Sequence, residues 1–161
     1  MGTKPEIQDS RIRKFNLRVY GIAVNGKKEV LLTDEFRFGR RMTKFPGGGM
    51  KFGEGTLDCL RRECREELHQ EIRIIRHFYT TDFFQATQLL REPQQLISIY
   101  YLMELSNPKR LKTTGRRFDF EDVEGAQTFR WVELSTLPDD ELTFPIDRKV
   151  LKMLKSEIFG E

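Results

Sequence analysis

Three glutamates fall within five residues, Glu63, Glu66 and Glu67. If the segment around them is helical, Glu63 and Glu67 stand one turn apart on one surface. Like charges at that spacing destabilise a helix by about 0.2–0.5 kcal/mol. A face built only for solubility would pair glutamate with lysine there. Crowded carboxylates make better sense around a cation, and hard oxygen donors suit Mg²⁺ or Mn²⁺. Taken alone, the acidic run reads as solvated charge, with Arg61, Arg62 and Arg65 as neutralising neighbours. What lies upstream changes that reading.

Residues 45–55 read FPGGGMKFGEG. Glycines let a ligand approach the backbone without a Cβ in the way. A glycine loop that runs into a helix N-terminus presents free N–H groups to an anion. Gly48 and Gly49 are therefore candidate phosphate contacts. Arg37, Arg40, Arg41, Lys44 and Lys51 are close in sequence and could meet remaining phosphate charge, with Arg37 kept as a substrate contact. Phe83 and Phe84 are adjacent aromatics in a polar stretch. One could stack on a base or sugar, the competing reading being a plug in the core.

These groups need a scaffold. Residues 15–24 and 28–33 have strand composition, and Asn25-Gly26 between them is a two-residue hairpin signal. Residues 34–55 read as loop. Residues 56–68 read as helix with Thr56 as N-cap, and Leu57, Leu60, Cys64 and Leu68 fall on one face, away from the glutamates. Residues 71–80, 95–105 and 126–134 are further strands, separated by long polar loops at 81–94 and 106–125. Ile146, Val150, Leu151, Leu154 and Ile158 repeat at helical spacing. The 95–105 strand is apolar on both faces, so this chain's own helices or a second subunit must cover it; a homodimer is the expected assembly. The whole reads as an α/β (α+β) fold, a sandwich over a mixed β-sheet, with residues 1–161 as one domain.

The glycine loop and acidic helix together resemble the Nudix hydrolase box, G-x5-E-x7-R-E-U-x-E-E-x-G-U with U apolar. Gly48, Glu54, Arg62, Glu63, Cys64, Glu66 and Glu67 occupy its positions in order. His69 and Gln70 stand where the pattern has glycine and an apolar residue. That glycine ends the helix in a left-handed conformation, which histidine can adopt at some cost, so His69 is expected to cap.

The resemblance implies an α/β/α sandwich and attack of water on a phosphorus of a diphosphate linkage, in a nucleoside diphosphate joined to another group. On that reading Glu63 and Glu67 are metal ligands, and Glu66 is a third ligand or the general base. The Gly47 carbonyl completes the shell. Arg62 orients Glu63, and Glu54 pairs with Arg62. Glu124, in the 116–125 loop, lies near where the family places a further glutamate, and competes with Glu66 as base. Subfamily signatures after the box, a proline for ADP-sugars or a tyrosine for dinucleoside polyphosphates, are missing from DFFQATQLL. The alternative is a catalytically silent Nudix-fold sensor of a nucleotide or sugar phosphate, and the intact carboxylates argue against it.

Composition narrows the partners. The chain has 161 residues, 38% hydrophobic and 33% charged, with a net charge of +3. That charge is too small to argue for a nucleic-acid polymer or a membrane surface. No stretch has the apolar length of a membrane span, and MGTKPEIQDSRIRKF lacks the apolar core of a secretory signal. Cys59 and Cys64, five apart on the helix, point in different directions. No disulfide is expected, and a reducing, cytoplasmic setting is.

Overall fold

The computed structural model describes residues 12–88 and 90–160; the expectation for the N-terminal segment lies largely outside them. Four strands form a mixed sheet in the order β4-β1-β6-β5. They are β1 (Phe15–Ile22), β4 (Gly47–Gly49), β5 (Ile72–Thr80) and β6 (Gln95–Leu105). β1 runs parallel to β6, and the other pairs are antiparallel. A second, antiparallel sheet has the order β3-β2-β7, from β2 (Glu29–Arg37), β3 (Arg40–Lys44) and β7 (Gln127–Glu133). Two helices, α1 (Thr56–Leu68) and α2 (Pro145–Phe159), complete the expected mixed α+β architecture. Among the described residues no helix is long and apolar enough to cross a membrane.

The core has two parts. α1 buries Cys59, Leu60, Cys64 and Leu68 against Val19, Leu31, Met103 and Phe129. α2 buries Ile146, Val150, Leu151 and Leu154 against Ile22, Leu32, Phe45 and Tyr100. β6 feeds both, Tyr100 on one side and Met103 and Leu105 on the other, so the chain's own helices cover its two apolar faces. Leu57, expected inside, is 37% exposed in the first turn of α1, and Cys59 takes its place in the core.

Three local expectations are corrected. The 34–55 segment is not loop: β2 continues to Arg37, and β3 and β4 follow. Arg37 pairs with Arg40 across a two-residue turn in which Phe38 (φ 54) and Gly39 (φ 72) are both left-handed, the geometry of the tight hairpin turn that matches strand twist. Its charged flanks hid it. Conversely, Asn25-Gly26 is not a two-residue hairpin. The Asn25 side-chain oxygen accepts the N–H groups of Lys27 and Glu29, Lys28 takes the left-handed conformation (φ 59), and β1 and β2 enter different sheets. Thr56 does not cap α1. Gly55 does, donating its N–H to the Asp58 carboxylate at 2.9 Å, while the Thr56 hydroxyl meets Tyr101 Oη at 2.7 Å. At the other end His69 adopts φ 55, ψ 38 and ends the helix as expected.

Candidate active site

Strand β4 is the seat of the site. Its glycines pair with β1, Gly48 opposite Val19 and Gly47 opposite Tyr20. A Cβ on Gly48 would lie 2.5 Å from Glu63 Oε1. A Cβ on Gly47 (φ +147) would lie 2.1 Å from the Val19 carbonyl oxygen. The first glycine makes room for a carboxylate, the second for the backbone of β1.

Arg62 ties the pieces together. It donates two hydrogen bonds to Glu54, Nε to Oε2 at 2.6 Å and Nη2 to Oε1 at 2.9 Å. It also donates to the Gly49 carbonyl at 2.9 Å, to Glu63 Oε1 at 3.0 Å and to Glu66 Oε2 at 3.2 Å. Such a planar fork locks two groups at once. The Arg62 guanidinium and the Lys51 N–H hold the Glu54 carboxyl down to about 2.

The three box glutamates are not equivalent. Glu63 is largely buried and braced by Arg62; Glu66 is half exposed and accepts from the same Arg62 Nη1. Glu67 turns inward, and its Oε2 is buried with no hydrogen-bond partner. Burial, with the charges of Glu63 and Glu35, pushes its carboxyl up to about 7, against the pull of Lys44. An unpartnered buried carboxylate oxygen is costly, and a cation is the natural partner for it. The side chains do not converge in threes: among the described residues no group of three or more His, Cys, Asp or Glu is arranged to hold a metal. The fit to a divalent cation therefore lies in donor chemistry, in the orphaned Glu67 oxygen one turn from Glu63 and the glycine that gives Glu63 its space.

A cleft open to solvent is lined by residues of both sheets and of α2. Arg37 lines it at the end of β2, as expected. Phe83 and Phe84 do not. Gln85, Ala86, Thr87 and Gln88 of the same loop line it instead, while Phe83 packs under the Lys149 ammonium, 5.0 Å from its ring centre. Glu124 is also redirected. Its carboxylate accepts the N–H of Phe38 at 2.7 Å and of Gly39 at 3.4 Å, capping the β2–β3 turn. Its loop is held on the second sheet by Phe118 N–H to Asp34 and by Arg41 to Asp122.

Several cleft residues were missed in the sequence. Arg18, Tyr20, Glu35, Tyr100 and Asp147 line the cleft beside Lys44. Arg18 Nε donates to Tyr20 Oη at 2.6 Å, and Tyr100 Oη donates to Asp147 Oδ1 at 2.5 Å. Burial pushes the Asp147 carboxyl up to about 6. The available signal was alternation: Asn16, Arg18 and Tyr20 share one face of β1. An acid on the inner side of α2, next to Ile146, was a second.

Glycine strand, arginine fork, acidic helix and cleft agree with a family. Residues 14–154 match the NUDIX domain, and the chain belongs to the Nudix family. It is accordingly a hydrolase of phosphoric anhydride bonds; the family generally uses divalent metal ions and acts on small nucleoside diphosphate derivatives. Solved structures share the fold. The MutT protein from Methanosarcina mazei Go1 superposes with a TM-score of 0.61 at 18% identity, over 91% of this chain and 96% of that one. A NUDIX hydrolase from Nitrosomonas europaea gives 0.61 at 14% identity, over 89% and 90%. A UDP-X diphosphatase gives 0.53 at 14% identity, over 92% of this chain and 66% of that one. No curated protein matches the chain in sequence.

Proposed function

We propose that the protein is a Mg²⁺-dependent pyrophosphohydrolase, also served by Mn²⁺, that cleaves the diphosphate linkage of a nucleoside diphosphate joined to a second group. The observation that carries this reading is the buried, unpartnered Glu67 oxygen one helical turn from Glu63, whose own place depends on Gly48. Glu63 and Glu67, with the Gly47 carbonyl, would hold the metal. Bound there, a divalent ion neutralises the diphosphate and lowers the pKa of water.

The remaining work falls to the chain. Arg62 fixes the Glu63 carboxylate, and Glu54 fixes Arg62. Glu66 is solvent-accessible on the same helix and accepts the proton of the attacking water; Glu124 is already engaged by the β2–β3 turn. Gly48 and Gly49 bring backbone close to the phosphates, and Arg37 lies at the cleft that takes the rest of the substrate. Two buried free cysteines suit a cytoplasmic setting.

The test is product release from a panel of nucleoside diphosphate sugars, dinucleotides and nucleoside triphosphates, with Mg²⁺ and with EDTA. Cleavage of at least one member, lost in EDTA and restored by Mg²⁺, is expected. No cleavage across the panel with Mg²⁺, or turnover undiminished in EDTA, refutes the proposal.

A further inference from the structure

Two buried ionic side chains beside the cleft have no role in the chemistry above. Lys44 ends β3, and its Nζ lies 3.1 Å from Oε1 of Glu35 on β2, with side chains 7% and 6% exposed. They are not cross-strand partners: Glu35 stands opposite Met42, and Lys44 opposite Thr33. The second Glu35 oxygen accepts a hydrogen bond from Gln127 Nε2 at 3.3 Å, so the carboxylate is held from two sides. A buried ion pair is a poor stabilising device, because desolvation offsets its Coulomb energy and an apolar pair of similar volume often does as well. Its retention beside a cleft calls for another reason.

Position supplies one. Both residues line the cleft, and the Lys44 ammonium stands 5.8 Å from the centre of the Tyr20 ring. Its charge acts on Glu67 of α1. Lys44 therefore both lines the space that must take the rest of the substrate and acts through its charge on a box carboxylate. The neighbouring Arg18 is committed through Nε to the Tyr20 hydroxyl.

We propose that Lys44, paired with Glu35 in the free protein, binds an oxygen of the substrate diphosphate, an assignment that rests on the pyrophosphohydrolase reading above. Before a cation arrives, the ammonium offsets Glu67 and so competes with the cation. When the diphosphate enters, the ammonium meets a phosphate oxygen. The two members of the pair thus act with opposite sign. Removing the Lys44 charge weakens anion binding and relieves repulsion of the metal. Removing the Glu35 charge frees Lys44 for the anion and takes away an attraction for the metal. An ion pair serving only the fold has no such crossing, since either loss perturbs the same structure.

The experiment uses the full chain with Lys44→Met and Glu35→Gln. Mn²⁺ binding without substrate is read by electron paramagnetic resonance, and inorganic pyrophosphate binding to the Ca²⁺-loaded protein by calorimetry. Lys44→Met should bind Mn²⁺ several-fold more tightly and pyrophosphate at least about tenfold more weakly, the loss of one charged hydrogen bond. Glu35→Gln should bind Mn²⁺ more weakly and pyrophosphate as tightly as wild type or more so. If Lys44→Met does not fold, the near-isosteric Glu35→Gln carries the test alone, and weaker pyrophosphate binding there overturns the proposal. Changes of the same sign in both variants overturn it, as does pyrophosphate affinity of Lys44→Met within about twofold of wild type. Wild-type protein that binds neither Mn²⁺ nor pyrophosphate overturns the hydrolase reading and this inference together.

Discussion

Gly48→Ala separates site geometry from fold stability. The new methyl carbon would start 2.5 Å from Glu63 Oε1, 2.6 Å from Cδ and 2.8 Å from Oε2. These atoms end a flexible side chain, so the backbone need not move. Ordinary contact begins near 3.4 Å, so the carboxylate must retreat by about 1 Å, and a misplacement of that size costs on the order of 10²-fold in rate. That corresponds to about 2.7 kcal/mol of transition-state stabilisation. The retreat also breaks the 3.0 Å bond from Arg62. Stability should change little, because an alanine in a strand restores about 0.5–1 kcal/mol of backbone entropy relative to glycine. Gly47→Ala is the contrasting control. Its methyl would meet the Val19 carbonyl at 2.1 Å, and φ is +147, so β4 must leave β1 and the melting temperature should fall sharply. The assay is kcat against Mg²⁺ concentration alongside thermal melting. A Gly48→Ala enzyme within about threefold of wild-type kcat refutes the reasoning, and so does one that loses stability as Gly47→Ala does.

Other outcomes follow from the same geometry. Glu66→Gln should lower kcat by the order of 10²–10⁴ expected for loss of a general base. Glu124→Gln should stay within a few fold and lower stability by loosening the Phe38-Gly39 turn; the reverse pattern in parallel kinetics would return the base to the loop. Arg62→Lys should lose on the order of 10–100-fold in metal affinity, because an ammonium cannot reproduce the fork on Glu54 and Glu63; titration with Mn²⁺ checks this, and wild-type affinity would dismiss the clamp. In EDTA, stability should depend on pH through Glu67. Its folded carboxyl is raised from 4.5 to about 7, so the folded state binds more protons than the unfolded one between those values. The stabilisation is complete below about 4.5 and is lost as pH rises through about 7. Asp147, raised to about 6, acts in the same direction, while Glu54, held near 2, has its window below pH 4.5. Melting temperature should therefore fall from pH 5 to pH 8, and Glu67→Gln should flatten that slope. An unchanged slope would contradict the burial of this carboxylate.

What the sequence determined by itself was the local chemistry of the box. Spacing along one helix is enough to place Glu63 and Glu67 one turn apart, because helical geometry relates near neighbours without reference to the rest of the chain. His69 as a left-handed cap and the Arg62 contacts with Glu54 and Glu63 followed instead from the resemblance to the box, a local pattern that spans sixteen residues from Glu54 to His69. Tertiary structure decided everything that depends on distant partners. Glu66 and Glu67 are neighbours in sequence, yet one faces solvent while the other is half-buried with an enclosed carboxylate oxygen on which the charges of Lys44 and Glu35 act, because only one side of α1 packs into the fold. Glu124 was acidic, loop-borne and near the expected position; what engages its carboxylate is a turn 85 residues away. Phe83 and Gln85 differ in whether they reach the cleft for a comparable reason, since the path of a long loop follows from what it packs against. Asp147 and Tyr100 carried no local signal of a cleft shared with Lys44, which the sequence offered only as phosphate charge. Their meeting requires β6, β3 and α2 to pack together, and the physical basis of that packing is burial summed over many side chains, which no single stretch of sequence contains.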